Sequence, residues 1–288
     1  MHRMANPETS SPSPPKGARP DWTIPQRWAE YTAADHDTWR RLFERQVQLL
    51  PGLVTEEFLR GIDRLGLEAA GIPDFEVLSQ RLQRLTGWIV VAVPGLVPAD
   101  VFFEHLSQRR FVAGSFIRRP EQLDYLQEPD VFHDVFGHVP LLADPVYADY
   151  LEAYGRGGLR AARLGALDEL ARLYWYTVEF GLVRDRDRLR IFGAGIVSSS
   201  GESHFALHAA PPLRIGFDLR RVMRTTYAID DFQKNYFVIE SFADLLKKTV
   251  EIDFGPIYGE LARLPIIAPG ETTDGDRFFP ANRHTIPV

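Results

Sequence analysis

Cysteine is absent from all 288 residues, which excludes disulfides, thiolate nucleophiles, iron–sulfur clusters and zinc sites built on sulfur. Any metal must therefore be held by His, Asp or Glu. Long apolar runs are also missing: the longest, Trp88 to Val93, is far too short to span a bilayer, and the N-terminus carries no apolar segment resembling a signal peptide. A cytoplasmic protein without membrane partners is the expectation. Nor is there an excess of positive charge, since 33 basic against 39 acidic side chains give a formal net charge of -6. That balance offers no general attraction to phosphate backbones, so nucleic acid is not an expected partner.

What is present is the composition of a globular chain, 45% hydrophobic and 25% charged, long enough to bury a sizeable core. Residues 1–24 begin with a stretch rich in Pro, Ser and charge that has no periodic apolar positions, and are expected to form a disordered tail. From Pro25 the pattern turns helical: Trp39, Leu42, Phe43, Val47 and Leu50 recur at three- and four-residue steps until Pro51-Gly52. Glu56 to Leu67 and Phe75 to Leu85 read the same way. Trp88 to Val93, bounded by Gly87 and Pro94, reads as a short buried strand, and Arg110 to Arg118 as a second.

Helical spacing returns in Val146 to Tyr154, where Gly155 and Gly157 predict a C-terminus. The strongest helix is expected over Leu167 to Leu182. A charged turn around Arg184 to Arg188, a Gly/Ser-rich loop from Gly193 to Gly201 and an amphipathic run from Phe232 to Leu246 follow. Without repeat, heptad seam or composition break, the expectation is one mainly α domain, α+β with small short strands, over residues 25–264. The remainder, 265–288, reads as an irregular tail.

His133 and His138 stand in HDVFGH. Five residues along a straight α-helix rotate about 140°, so their imidazoles would not share a face; Gly137 could relax that by distorting the last turn. Alone, the pair is a weak signal. Glu179 is more telling, because it lies on the apolar stripe of the strongest helix, four residues after Trp175. An ionised carboxylate there is costly unless a cation meets it, whether an arginine or a metal ion. Two His and one carboxylate suit mononuclear non-haem iron(II) with open positions. They equally suit a catalytic zinc, so this reading leaves iron and zinc hydrolase chemistry both open.

Three collinear blocks carry more information: RRPEQLDYLQEPDVFHDVFGHVPLL from Arg118, YWYTVEFGLV from Tyr174 and FGAGIVSSSGE from Phe192. They closely resemble the catalytic domain of the pterin-dependent aromatic amino acid hydroxylases, with similarity running in order from about Pro25 to about Leu264. The resemblance implies a single helix-rich catalytic domain with iron(II) on His133, His138 and Glu179, tetrahydrobiopterin or a related tetrahydropterin, and dioxygen. It implies that Arg118, oriented by Asp130 and assisted by Ser198, holds the substrate carboxylate, a task suited to a planar guanidinium. Pro129, Trp175, Phe180 and Gly195 would surround the substrate ring. Gly95, Leu96, Val97, Phe102, Asp134 and Tyr174 would contact the pterin, with Asp134 standing where animal relatives have Glu. Glu128 and Glu202 match acidic positions near the site without an assigned step.

Trp175 resembles the residue of the family's phenylalanine and tyrosine hydroxylases, where its tryptophan hydroxylases carry Phe, and Ile229 is apolar where tyrosine hydroxylases have an acid. Conversion of phenylalanine to tyrosine is therefore the preferred reaction, with tryptophan and tyrosine as alternative substrates. Too few residues flank the core for the regulatory domain and tetramerising helix of animal relatives, so a monomer is expected.

Overall fold

The computed structural model describes residues 13–124, 128–229 and 231–282. Their helices are α1 (Ala33–Leu49), α2 (Glu56–Leu65), α3 (Phe75–Thr86), α4 (Ala99–Ser107), α5 (Pro145–Leu164), α6 (Leu167–Tyr174), α7 (Ala194–Val197), α8 (Ser200–His208), α9 (Leu219–Arg224), α10 (Phe242–Thr249) and α11 (Phe254–Leu261). The strands are short: β1 (Ile89–Val93), β2 (Arg110–Gly114), β3 (Leu182–Asp185), β4 (Arg188–Ile191), β5 (Leu213–Gly216) and β6 (Asn235–Ile239). β1 and β2 form a parallel pair. The other four form a sheet in the order β4-β3-β6-β5, antiparallel only between β3 and β4. One buried core runs through both parts, so the helix-rich single domain with small sheets is the architecture found. No described helix is long and apolar enough to cross a membrane.

Helix starts follow local chemistry. Thr32 caps α1 in a reciprocal box with Asp35, and Asp144 accepts hydrogen bonds from the amides of Val146 and Tyr147 at the start of α5. Where the structure departs from the sequence pattern, the reasons are physical. α5 does not stop at Gly155 but runs on to Leu164. Its glycines are packing notches: a Cβ at Gly155 would sit 2.4 Å from Ser107 N, and one at Gly158 2.1 Å from the Phe103 ring, so they let α4 approach.

The run from Phe232 to Leu246 is two elements, β6 and α10, separated by the capping residue Ser241. All five residues of β6 are buried at the centre of the sheet; a strand covered on both faces shows no alternation, so its apolar run passes for helix. Arg184 to Arg188 spans the tip of the β3–β4 hairpin, whose turn is Arg186 and Asp187, with Arg186 in the left-handed region at φ 57°. The Gly/Ser-rich stretch contains α7 and the start of α8, which Ser199 caps.

The first twelve residues of the expected tail lie outside the described residues. Residues 19–24 join the domain: the Ile24 amide donates to Ala92 O at 2.9 Å, and Asp21 pairs with Arg110 at 2.9 Å. At the other end, the irregular segment from Pro265 is pinned by the buried Arg221–Asp276 pair at 2.9 Å.

Arg214, on β5, is buried without a carboxylate partner among the described residues. It donates instead to the carbonyls of Ala206 at 2.7 Å and Ala209 at 2.8 Å, with longer bonds to Pro212 and Phe205. A cation over the last carbonyls of α8 satisfies groups that the helix cannot pair itself. Replacing Arg214 with Met leaves those carbonyls buried and unpaired, and is expected to lower stability by about 2–4 kcal/mol. Urea unfolding followed by circular dichroism measures the change.

Candidate active site

Both histidines and the glutamate are delivered by π-helical turns, not by regular α-helix. Phe132–His138 forms one turn and Trp175–Glu179 the other, directly continuing α6. In a π-helix the backbone bond joins i and i+5, so residues five apart lie one above the other. That geometry removes most of the 140° mismatch expected of a straight α-helix and brings His133 and His138 toward one face. Gly137 contributes through close approach: a Cβ there would lie 3.0 Å from Ala194 O, so the glycine lets this turn pack on α7.

The three side chains converge. His133 Nε2 and His138 Nε2 are 3.4 Å apart, His138 Nε2 lies 3.2 Å from Glu179 Oε1, and His133 Nε2 lies 3.6 Å from Glu179 Oε2. Donor atoms each about 2.0–2.2 Å from one metal ion have roughly this mutual spacing. Burial pushes the His133 imidazole well below its ordinary range, so the ring is neutral. Burial alone would raise the Glu179 carboxyl, but the neighbouring His138 outweighs it and holds the carboxyl well below the usual carboxylate range.

The tautomer of His133 follows from its second nitrogen. Ser198 Oγ donates to Ala194 O at 2.8 Å and lies 3.0 Å from His133 Nδ1. A hydroxyl has one hydrogen, so Nδ1 must donate to it, and Nε2 carries a lone pair toward the Glu179 carboxylate. A lone pair facing an anion calls for a cation between them, and the donor set therefore fits a metal ion. Asp134 is the other carboxylate close by, with His133, Asp134 and His138 offering ligand atoms all within 4.8 Å of one another. Its Oδ2, however, accepts the Gly114 amide at 2.7 Å, and burial raises its carboxyl to about 6. Glu179, with both oxygens turned to the histidines, is better placed than Asp134 to hold an ion between them.

Asp130 ties the π-turn carrying His133 and His138 to Arg118. Fully buried, it accepts the Arg118 amide at 2.9 Å, Nε at 2.8 Å and one terminal nitrogen at 2.9 Å, and also the His133 amide at 3.0 Å. The other guanidinium nitrogen has only a long contact, 3.4 Å, to Leu123 O. Arg118 thus presents a fixed fork to a cavity of about 320 Å³ that His133 and Glu179 also line. Pro129, Trp175, Phe180, Gly195 and Ser198 line it too, as the sequence reading grouped them. Trp175 is held by Gln233 through its indole N–H at 2.9 Å and stacks on Tyr227 with ring centroids 4.1 Å apart.

The residues expected at a pterin do not line this cavity. Phe102 packs edge-on against Tyr174 at 5.7 Å, and Tyr174 stacks on the His138 ring at 6.3 Å. Gly95, Leu96 and Val97 lie in the connection from β1 to α4, where a Cβ on Gly95 would meet nothing within 4 Å. Gln233, Tyr227 and Tyr236 escaped the sequence reading; they sit in or beside the run taken for a helix, and no local signal distinguishes them.

A family model described as biopterin-dependent aromatic amino acid hydroxylase matches residues 21–253. The chain is 62% identical over 266 residues to a protein from Caulobacter vibrioides named phenylalanine-4-hydroxylase, covering 92% of this chain and 90% of that one. Identity to a protein of the same name from Chromobacterium violaceum is 59% over 242 residues, covering 84% and 81%. The crystal structure of Chromobacterium violaceum phenylalanine hydroxylase with iron and phenylalanine bound superposes with a TM-score of 0.86 at 53% identity, covering 90% of this chain and 94% of that one. With two π-turns bringing His133, His138 and Glu179 together, a buried arginine lining the same cavity and these likenesses over most of its length, the chain belongs to the biopterin-dependent aromatic amino acid hydroxylases.

Proposed function

We propose that this enzyme converts phenylalanine to tyrosine, with iron(II) on His133, His138 and Glu179, a tetrahydropterin as two-electron donor and dioxygen as the oxygen source. The observation that carries the reading is the convergence of two imidazole Nε2 atoms and one ionised carboxylate on a cavity that also presents the Arg118 fork. Iron and pterin supply the oxygen activation; the chain's part is binding and placement.

Arg118 receives the substrate carboxylate in bidentate fashion. Because Asp130 bonds both Arg118 and the His133 amide, the anchor and the metal face hold a fixed relation, which places the ring for reaction. Trp175 and Phe180, their ring centroids 4.7 Å apart, wall the ring pocket. Apolar Ile229 at the cavity lining suits a substrate ring without a hydroxyl. His133 and Glu179 line the cavity and His138 does not, so a metal ion held by the three would be reached from the cavity. Asp134, Phe102, Tyr174 and the loop Gly95, Leu96 and Val97, none of which lines that cavity, are assigned to the pterin.

The test is a panel of phenylalanine, tyrosine and tryptophan with tetrahydrobiopterin and iron(II); best turnover of tryptophan would contradict the substrate assignment. A cytoplasmic monomer belongs to the same proposal, for which sedimentation at the 32.7 kDa mass of one chain is the expected result. Ser198→Ala removes the acceptor that fixes the His133 tautomer and is expected to weaken iron(II) binding by about 10–100-fold. Competition with a chelator of known affinity measures it.

A further inference from the structure

Glu202, on α8, is buried to 5% exposure and lines the same cavity as Arg118. Its Oε1 is committed to two neutral donors, the Tyr236 hydroxyl and the Gln233 amide at 3.2 Å. Oε2 makes no hydrogen bond among the described residues, yet it is not one of the sealed, unpartnered atoms, so it opens to the cavity. No described Lys, Arg or His lies within ion-pair distance of this carboxylate, whereas the buried Asp130 is fully paired. Burial accordingly raises the Glu202 carboxyl to about 7.

A buried carboxylate without a cation, facing a cavity that also offers a guanidinium fork, complements a molecule carrying both charges. We propose that Glu202 Oε2 receives the α-ammonium group of the amino-acid substrate while Arg118 receives its carboxylate. This inference rests on the proposed function, since it requires an amino acid in the cavity. The two anchors fix the backbone end of the substrate at two points, which determines how the ring enters between Trp175 and Phe180. A carboxylic acid lacking the amine would hold one anchor only, and its ring would be free to turn.

The test is calorimetric titration of the iron-loaded protein with phenylalanine and with 3-phenylpropionate, which has the same ring and carboxylate but no amine. Wild type is expected to bind phenylalanine at least about tenfold more tightly, the worth of a charge-assisted hydrogen bond. Glu202→Gln keeps the side-chain shape and is expected to remove most of that gap by weakening phenylalanine alone. Parallel weakening of both compounds would show that Glu202 only holds Gln233 and Tyr236, and would overturn the proposal. So would a gap that survives in the variant, or equal affinity of the two compounds for wild type, a result that needs no variant to fold. If wild type binds neither compound, the proposed function fails and this inference with it.

Discussion

Glu179→Gln is expected to abolish hydroxylation, with turnover reduced by well over the roughly 10–100-fold that loss of a ligand's hydrogen-bonding partner costs. The substitution preserves volume in a fully packed π-turn but replaces an anion with a neutral amide. Two imidazoles remain, and the amide turns an N–H donor or a weak carbonyl acceptor toward nitrogens 3.2 and 3.6 Å away. Neither orientation holds a divalent cation as the carboxylate does. Metal content by mass spectrometry should fall together with activity. Asp134→Asn supplies the contrast: its carboxylate bonds the Gly114 amide, so iron content should persist. Normal turnover by the Glu179 variant at full iron occupancy, or loss of iron from the Asp134 variant alone, would transfer the ligand role.

The second large effect concerns Arg118. Arg118→Lys keeps the charge and loses the fork, leaving Asp130 with an ammonium that cannot satisfy both of its oxygens and also meet a substrate carboxylate. KM for phenylalanine is expected to rise about 100-fold, the equivalent of about 3 kcal/mol, within the range for truncating one partner of a buried charged pair. Because Arg118 also sets where the ring lies, tyrosine formed per pterin oxidised should fall. Steady-state kinetics with both products measured separates the two effects, and an unchanged KM in a folded variant would place the substrate carboxylate elsewhere.

The sequence pattern exposed the early helices, the β1–β2 pair and the apolar stripe carrying Glu179, because these bury one face and keep the matching period. It hid what depends on contacts far along the chain. Gly155 reads as a stop signal until Ser107 and Phe103 are seen against it; β6 reads as helix because both its faces are covered. His133 and His138 looked badly spaced by α-helical geometry, and only a π-turn, supported by the packing of Gly137 on Ala194, brings them into line. The grouping of Arg118, Pro129, Trp175, Phe180, Gly195 and Ser198 around one cavity was legible through three sequence blocks. The network Glu202–Gln233–Trp175 was not, since its members lie 58 residues apart between Trp175 and Gln233 and 31 between Glu202 and Gln233.

One reaction tests the enzyme most directly: purified protein loaded with iron(II), supplied with tetrahydrobiopterin, dioxygen and phenylalanine, and assayed for tyrosine. Tyrosine formed only when all four components are present, in step with pterin oxidation, is the predicted result. Tyrosine formed without pterin, or no tyrosine from protein that retains its iron, would contradict it.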